Sequence, residues 1–289
     1  MTDMEELYIL EKIGAFLRER PGFICPEDVA EMTSALGVSG EFAYAALLAA
    51  GCGVDGEDAR GREMLSDIAS MVRKLDPEVY RNDPYWRTFR LPEVRRSAFR
   101  LGYEQYAPCE AVVCGELFRG RSGRLLTPIG YFTEPFRYPA LLEGDALWMS
   151  VSPNEVETMR APIRRARGKA LALGLGMGYY AFRIAEKPEV SSVTVVAREE
   201  DVIGLFREYL LPQMPNGHKI HIVHADAFEY MQDTAPSVGF DHVFCDLWHD
   251  AGDGLPMYRR LKAMESAFSG TVFDYWIEPS MRLYMEAGF

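Results

Sequence analysis

Three glycines at alternate positions, Gly174, Gly176 and Gly178, follow the apolar run Ala170-Leu171-Ala172-Leu173 and precede a helix-forming stretch from Tyr180. Such a turn between strand and helix brings backbone N–H groups, and the positive end of a helix, close to whatever binds there, with no Cβ in the way. That chemistry suits a nucleotide or a nucleoside-containing cofactor. A purely structural turn uses the same residues, so the downstream chain has to separate the two. Asp246 ends the otherwise apolar run Val243-Phe244-Cys245, which puts a carboxylate at the end of a buried strand. An acid there can stabilise a cationic centre, orient an amine nucleophile or accept its proton. His249 and Asp250 follow closely. His249 is either a general base, since imidazole titrates near neutral pH, or a loop cap.

His218, His221 and His224 suggest a metal at first sight. On a strand, His221 and His224 have opposite parity and face opposite sides of the sheet. Spacing offers no fourth ligand, and no metal site is expected.

The elements that must position these residues alternate regularly. Strands are expected at 170–173, 193–196, 220–223 and 243–246, with helices at 180–185, 199–211, 227–232 and 256–268. Strand and helix alternation on this scale means a parallel sheet of right-handed βαβ units, and ligands sit beyond the C-terminal ends of such strands. Those ends carry the glycines, then Ala197-Arg198-Glu199, then Ala225-Asp226-Ala227, then Asp246 to Asp250. Upstream, Ser152 can cap a helix with Pro153 at its first position and Glu155 at its third.

The first hundred residues read as helices at 4–19, 26–36, 40–50 and 57–75, each bounded by Gly, Pro or a capping residue. Residues 81–106 interleave Arg with aromatic side chains, a pattern that can bind single-stranded nucleic acid or form a helix with aromatics inward and arginines in water; the overall acidity favours the helix. Strands at 111–117, 125–132 and 146–151 form a small β region. The chain therefore divides into a helical region at 1–108, a β-hairpin region at 109–151 and a Rossmann-like domain at 152–289.

The 289 residues allow one large or two modest domains. A net charge of −12 argues against a general nucleic-acid binder, whose phosphate contacts need a basic face. No apolar stretch has the length of a membrane span, and the N-terminus does not read as a signal peptide, so a cytoplasmic protein without a membrane partner is expected. Five cysteines with no CxxC spacing point to reduced thiols.

The segments ALALGLGMG, VTVVAREEDVIGLF, HADAFEYM and FDHVFCDLWHD, in this order, resemble the class I S-adenosylmethionine (AdoMet) methyltransferase fold, in its spermidine synthase-like branch. The resemblance covers about residues 145–270 and implies AdoMet as cofactor. It implies that Gly174, Gly176 and Gly178 let the backbone approach the methionine part and ribose. It further implies that Asp226 accepts a hydrogen bond from the adenine amino group, with Ala227 beside the ring. Asp246 would lie near the sulfonium and the acceptor, assisted by His249 or Asp250. Tyr131, Tyr179, Tyr180 and Trp248 are candidates for the acceptor pocket. For Asp226 the alternative is a helix N-cap.

The sequence also departs from the family. The acid that usually grips the ribose hydroxyls is replaced by Ala197, and Glu199 is the candidate substitute. The acid often found two residues before the first glycine is Ala172, as it also is non-acidic in spermidine synthases. After Trp276 too little chain follows for the usual C-terminal antiparallel strand pair. The expectation is a methyltransferase acting on a small molecule, possible as a homo-oligomer. Aminopropyl or aminocarboxypropyl transfer and a scaffold without catalysis are the alternatives. A dehydrogenase fits less well, because Tyr179 stands where GxGxxG needs its third glycine.

Overall fold

Five strands form one all-parallel sheet: β1 (Gly168–Leu173), β2 (Val190–Ala197), β3 (Ile220–His224), β4 (His242–Cys245) and β5 (Val272–Tyr275), in the spatial order β3-β2-β1-β4-β5. The computed structural model describes residues 3–54 and 56–287; Met1, Thr2, Gly288 and Phe289, the outer ends of the expected domains, lie outside them. The helices of this sheet are α1 (Pro153–Arg165), α2 (Tyr179–Ala185), α3 (Glu200–Leu205), α4 (Ala227–Asp233) and α5 (Ala251–Met264). Central strands buried on both faces need unbroken apolar runs, and Ala170 to Leu173 and Val243 to Cys245 supply them. The strand order reverses between β1 and β4, and the C-terminal end of that junction is where this architecture leaves a crevice. The expected Rossmann-like α/β sheet is therefore present, and it has no antiparallel member among the described residues.

His242 interrupts the apolar pattern of β4 and is fully buried. Its Nε2 lies 2.7 Å from an Asp274 carboxylate oxygen, and its Nδ1 lies 3.0 Å from the Tyr180 hydroxyl. Arg165, at the end of α1, closes the network with a bidentate grip on Asp274. Arg165 thus neutralises a buried acid on β5.

The chain divides into two compact units: Met1–Val79 with Gln105–Arg137 and Arg282–Phe289, and Tyr80–Glu104 with Tyr138–Met281. This differs from the three consecutive stretches expected. Composition changes along the chain, whereas a compact unit is set by which segments pack, and two segments upstream of residue 152 pack with the sheet.

In the first unit, helices Asp3–Glu19, Pro26–Leu36, Gly40–Gly51 and Ala59–Met71 match the reading of caps and breakers closely. Ile13, Phe16, Leu48, Ile68 and Met71 form its core, where Tyr44 stacks on Tyr131 at 4.0 Å. Tyr131 is thus a core residue of this unit, not a wall of the acceptor pocket. The expected helix at 57–75 ends at Met71, and Val72–Lys74 pairs in parallel with Ile129–Tyr131. Buried Arg124 is held by Asp67 at 3.0 Å and Glu63 at 2.9 Å.

Residues 81–106 are not one helix. A short helix at Pro84–Thr88 stops before Leu91-Pro92, and a hairpin of Val94–Arg96 with Phe99–Tyr106 follows. Proline disfavours helix in the residue before it, and Phe99 and Leu101 are buried at a period of two. A strand at Phe136–Glu143 was hidden by Pro139. It pairs with the expected strand at Ala146–Ser150. Among the described residues no single helix is long and apolar enough to cross a membrane.

Candidate functional site

Backbone conformation explains the glycines before any ligand is invoked. Gly174, Gly176 and Gly178 have φ of +101°, +50° and +73°, where a Cβ is strained. A Cβ on Gly174 would also stand 2.0 Å from the carbonyl oxygen of Asp246. The turn therefore crosses directly over the end of β4. Gly178 is different: it caps α2, and a Cβ there would strike the ring of Phe206 at 2.2 Å.

A segment far upstream holds the turn from behind. The buried Tyr85 hydroxyl donates to the carbonyl oxygen of Met177 at 2.7 Å. Asp83 caps the helix at Pro84–Thr88 through the Tyr85 N–H, and its other oxygen accepts from the Tyr179 hydroxyl at 3.0 Å and from Arg183 at 2.6 Å. These residues were invisible as site components in the sequence, because nothing local distinguishes them from core.

Two cavities open at the C-terminal ends of the strands. One, of about 250 Å³, is lined by Ala197, Arg198, Glu199, Val202, Asp226, Ala227, Phe228 and Met257. The other, of about 200 Å³, is lined by Glu155, Met159, Ala172, Tyr179, Tyr180, Phe244 and Trp276. Gly174, Gly176, Asp246, Trp248 and His249 line both, together with Trp148 and Met149 from the preceding hairpin. Gly178 and Asp250 line neither.

Each predicted residue can be placed relative to this pair of lobes. Asp226 caps α4, with Oδ1 accepting from the N–H groups of Phe228 at 2.9 Å and Glu229 at 3.1 Å, and it also lines the first lobe. The two alternatives for Asp226, cap and ligand contact, are compatible, because the cap uses one carboxylate oxygen. Glu199 lies at the start of α3 and pairs with Arg198 at 3.1 Å. His249 is exposed, with its ring edge-on to Trp148 at 5.5 Å. Asp250 serves α5 as its N-cap: its carboxylate accepts from Gly252 and Asp253, and Asp253 accepts in return from the Asp250 N–H. The expected catalytic Asp250 lines neither lobe, and its Oδ1 serves the cap of α5.

Glu155 is a candidate site residue that the capping pattern concealed. Ser152 makes no side-chain cap bond, and Glu155 faces the second lobe with Met159 one turn on. The available signal was an acid in line with Val156, Met159 and Ile163, the apolar stripe of α1. Burial raises the pKa of Glu155 well above the usual carboxylate range, and the nearby charge of Asp246 raises it further. Burial pushes Asp246 up to about 7. Both acids of the lobe thus hold their protons to higher pH than ordinary carboxylates, a state suited to exchanging a proton near neutrality.

Among the described residues no group of three or more His, Cys, Asp or Glu is arranged to hold a metal ion, and His224 Nε2 instead lies 2.9 Å from the Arg198 carbonyl oxygen.

No family model matches the chain, and no curated protein does. Among solved structures it is similar to precorrin-6y C5,15-methyltransferase from Geobacter metallireducens GS-15, at 16% identity over 48% of this chain and 73% of that one, with a TM-score of 0.34. It is also similar to a spermidine synthase in complex with the transition-state analogue AdoDATO, at 20% identity over 48% of this chain and 52% of that one, with a TM-score of 0.34. For the spermidine synthase from Thermotoga maritima the values are 18% identity, 52% and 59% coverage and a TM-score of 0.35. The chain spans little more than half the length of these two spermidine synthases. The strand order and the Gly-rich turn after β1 make the fold Rossmann-like.

Proposed function

We propose that the protein is an AdoMet-dependent transferase, a methyltransferase that acts on a small-molecule acceptor. The observation that carries this reading is the meeting of two lobes at Asp246, beneath the turn at Gly174. The residues present fit the cofactor: a bare backbone at Gly174 and Gly176, a carboxylate at Asp226 with Ala227 beside it, and Glu199 at the end of β2. When bound, AdoMet would supply an electrophilic methyl carbon on a sulfonium. Asp226 would accept from the adenine amino group through the oxygen that the α4 cap leaves over. Glu199 would replace the acid missing at Ala197, against the competition of Arg198. Asp246 would orient the acceptor and take its proton, and the enclosed walls would hold the reactants in line.

Aminopropyl or aminocarboxypropyl transfer is the second reading, favoured by the acids that line the second lobe. Calorimetry with AdoMet, S-adenosylhomocysteine, decarboxylated AdoMet and NAD separates the two. Micromolar binding of the first two is expected, weakened about tenfold or more by Asp226→Ala, the cost of one lost charge-assisted hydrogen bond. Preference for decarboxylated AdoMet would favour the second reading, and binding of none of the four would refute both.

A further inference from the structure

The strand Ala146–Ser150 carries a β-bulge. It pairs with Phe136–Glu143 through Leu147 opposite Leu142 and Met149 opposite Leu141, so Trp148 falls between two consecutive pairs and has no counterpart in that ladder. In a regular strand, neighbouring side chains point to opposite faces. Here the neighbours Trp148 and Met149 both line both lobes. A bulge re-aims one side chain in this way, and bulges gather beside active sites. The ring of Trp148 then meets two others edge-on: Phe99 of the adjoining hairpin at 5.9 Å, and His249, beyond the end of β4, at 5.5 Å. The other tryptophans of the second lobe are fixed differently. Trp248 and Trp276 are buried, and each spends its indole N–H, Trp248 on the Trp276 carbonyl oxygen at 3.2 Å and Trp276 on the Thr158 hydroxyl at 2.9 Å. Trp248 is also locked against Gly254, where a Cβ would stand 2.7 Å from its ring. Trp148 is half-buried and braced by rings.

We propose that Trp148 is a specificity-determining residue for the acceptor, that His249 is its positioning residue, and that the acceptor is an uncharged molecule built on a single flat ring. The second lobe has a volume of about 200 Å³. An apolar protein cavity of about 150 Å³ takes benzene, so this lobe has room for one substituted ring. Besides Trp148 its wall includes Trp248, Trp276, Tyr179, Tyr180 and Phe244. Aromatic walls favour a flat ring over a saturated one of equal size, because ring edge and ring face carry opposite partial charge. Trp148 and Trp248 line both lobes, and of the two Trp148 is the one placed by side-chain contacts alone to meet the acceptor. The ring contact of His249 needs no proton transfer, which gives this exposed residue a role other than base or loop cap. The word acceptor rests on the transferase reading, whereas the fit of a flat ring to the lobe does not.

The test uses the full chain, as wild type, Trp148→Ala, Trp148→Phe, His249→Ala and His249→Phe, with each variant's folding checked by its thermal transition. The probes are phenol, cyclohexanol, which has the same ring size without the flat face, and 2-naphthol, which adds a fused ring. Each is titrated by calorimetry at neutral pH without nucleoside, and S-adenosylhomocysteine is titrated separately. Wild type is expected to prefer phenol to cyclohexanol by about tenfold, the worth of one or two ring contacts, and to bind 2-naphthol more weakly than phenol. Trp148→Ala is expected to bring the phenol preference to about twofold or less and to bind 2-naphthol better than wild type does, while Trp148→Phe keeps the preference. His249→Phe should match wild type, and His249→Ala should lose about threefold of the preference. A generally loosened fold would weaken phenol and cyclohexanol alike, so their ratio separates selection from damage. Failure of S-adenosylhomocysteine to bind wild type refutes the transferase reading and leaves the phenol arm to decide the lobe. Equal binding of phenol and cyclohexanol by wild type, binding of neither, or a preference that survives Trp148→Ala overturns the assignment of Trp148. Binding of 2-naphthol to wild type as tightly as phenol overturns the single ring. An unaffected His249→Ala, or a His249→Phe as impaired as His249→Ala, overturns the role of His249.

Discussion

At the scale of single residues, Glu155 and Asp246 set a pH dependence. Their pKa values in the folded chain lie above the ordinary carboxylate range, Asp246 at about 7. A carboxyl group raised in this way contributes stability that is fully present below its unfolded pKa and is lost as pH rises through the folded value. Wild type should therefore lose stability between pH 5 and pH 8 relative to Asp246→Asn, which cannot ionise. The expected difference is about 1–3 kcal/mol, below the full linkage value because Asp246 is only half-buried. Urea denaturation of both proteins at the two pH values measures it, and parallel curves would contradict the burial assigned to Asp246. Transfer activity should move oppositely, rising through pH 7 as the pair becomes able to accept a proton.

At the scale of elements, the Gly-rich turn is held by a segment some ninety residues upstream in sequence. Tyr85 fixes the Met177 carbonyl, and that fixes where the neighbouring N–H groups point. Tyr85→Phe keeps the ring and its tilted contact with Phe89 at 4.2 Å, and removes only the donor. The expected cost is about 1–2 kcal/mol of stability, since a buried carbonyl loses its partner. A several-fold loss of nucleoside affinity should accompany it, even though Tyr85 lines neither lobe. Unchanged affinity together with reduced stability would make the contact purely structural. The Arg165–Asp274–His242–Tyr180 network works in the same way at the opposite wall, tying α1, β5, β4 and α2 behind the second lobe.

At the scale of the whole molecule, the sheet unit is discontinuous in sequence, with Tyr80–Glu104 and Tyr138–Met281 packed as one body. Tyr85 and Phe89 sit edge-on to Phe182 with ring centroids at 5.9 and 5.1 Å, and all three are buried. A fragment of residues 152–289, the division that composition suggests, would expose this face and lose Trp148 and Met149 from both lobes. Such a fragment should show no cooperative thermal transition and bind no nucleoside. A sharp transition in circular dichroism would show that the upstream segments are dispensable.

Local chemistry made a good part of this protein legible in its sequence. Helix ends followed from Pro26, Gly37, Ser39 and Gly51, because caps and breakers act within a turn of the chain. The parallel sheet followed from apolar runs alternating with helical stretches, and the crevice followed from the sheet. The competing uses of one side chain were not legible. Asp250 and Glu155 are both acids near a helix start, and sequence assigned the first to catalysis and the second to a cap. Tertiary structure places them differently: Asp250 caps α5 and lines neither lobe, while Glu155 lines the second lobe with Asp246. Likewise Tyr131 stacks in the first unit and Tyr85 buttresses the turn, though each has an aromatic residue next to it in sequence. Sequence by itself determined the elements of the parallel sheet and most helix ends, since hydrogen-bond periodicity and capping are short-range. Only the tertiary structure decided which face of each element meets the cavity, because that depends on long-range packing between segments distant in the chain.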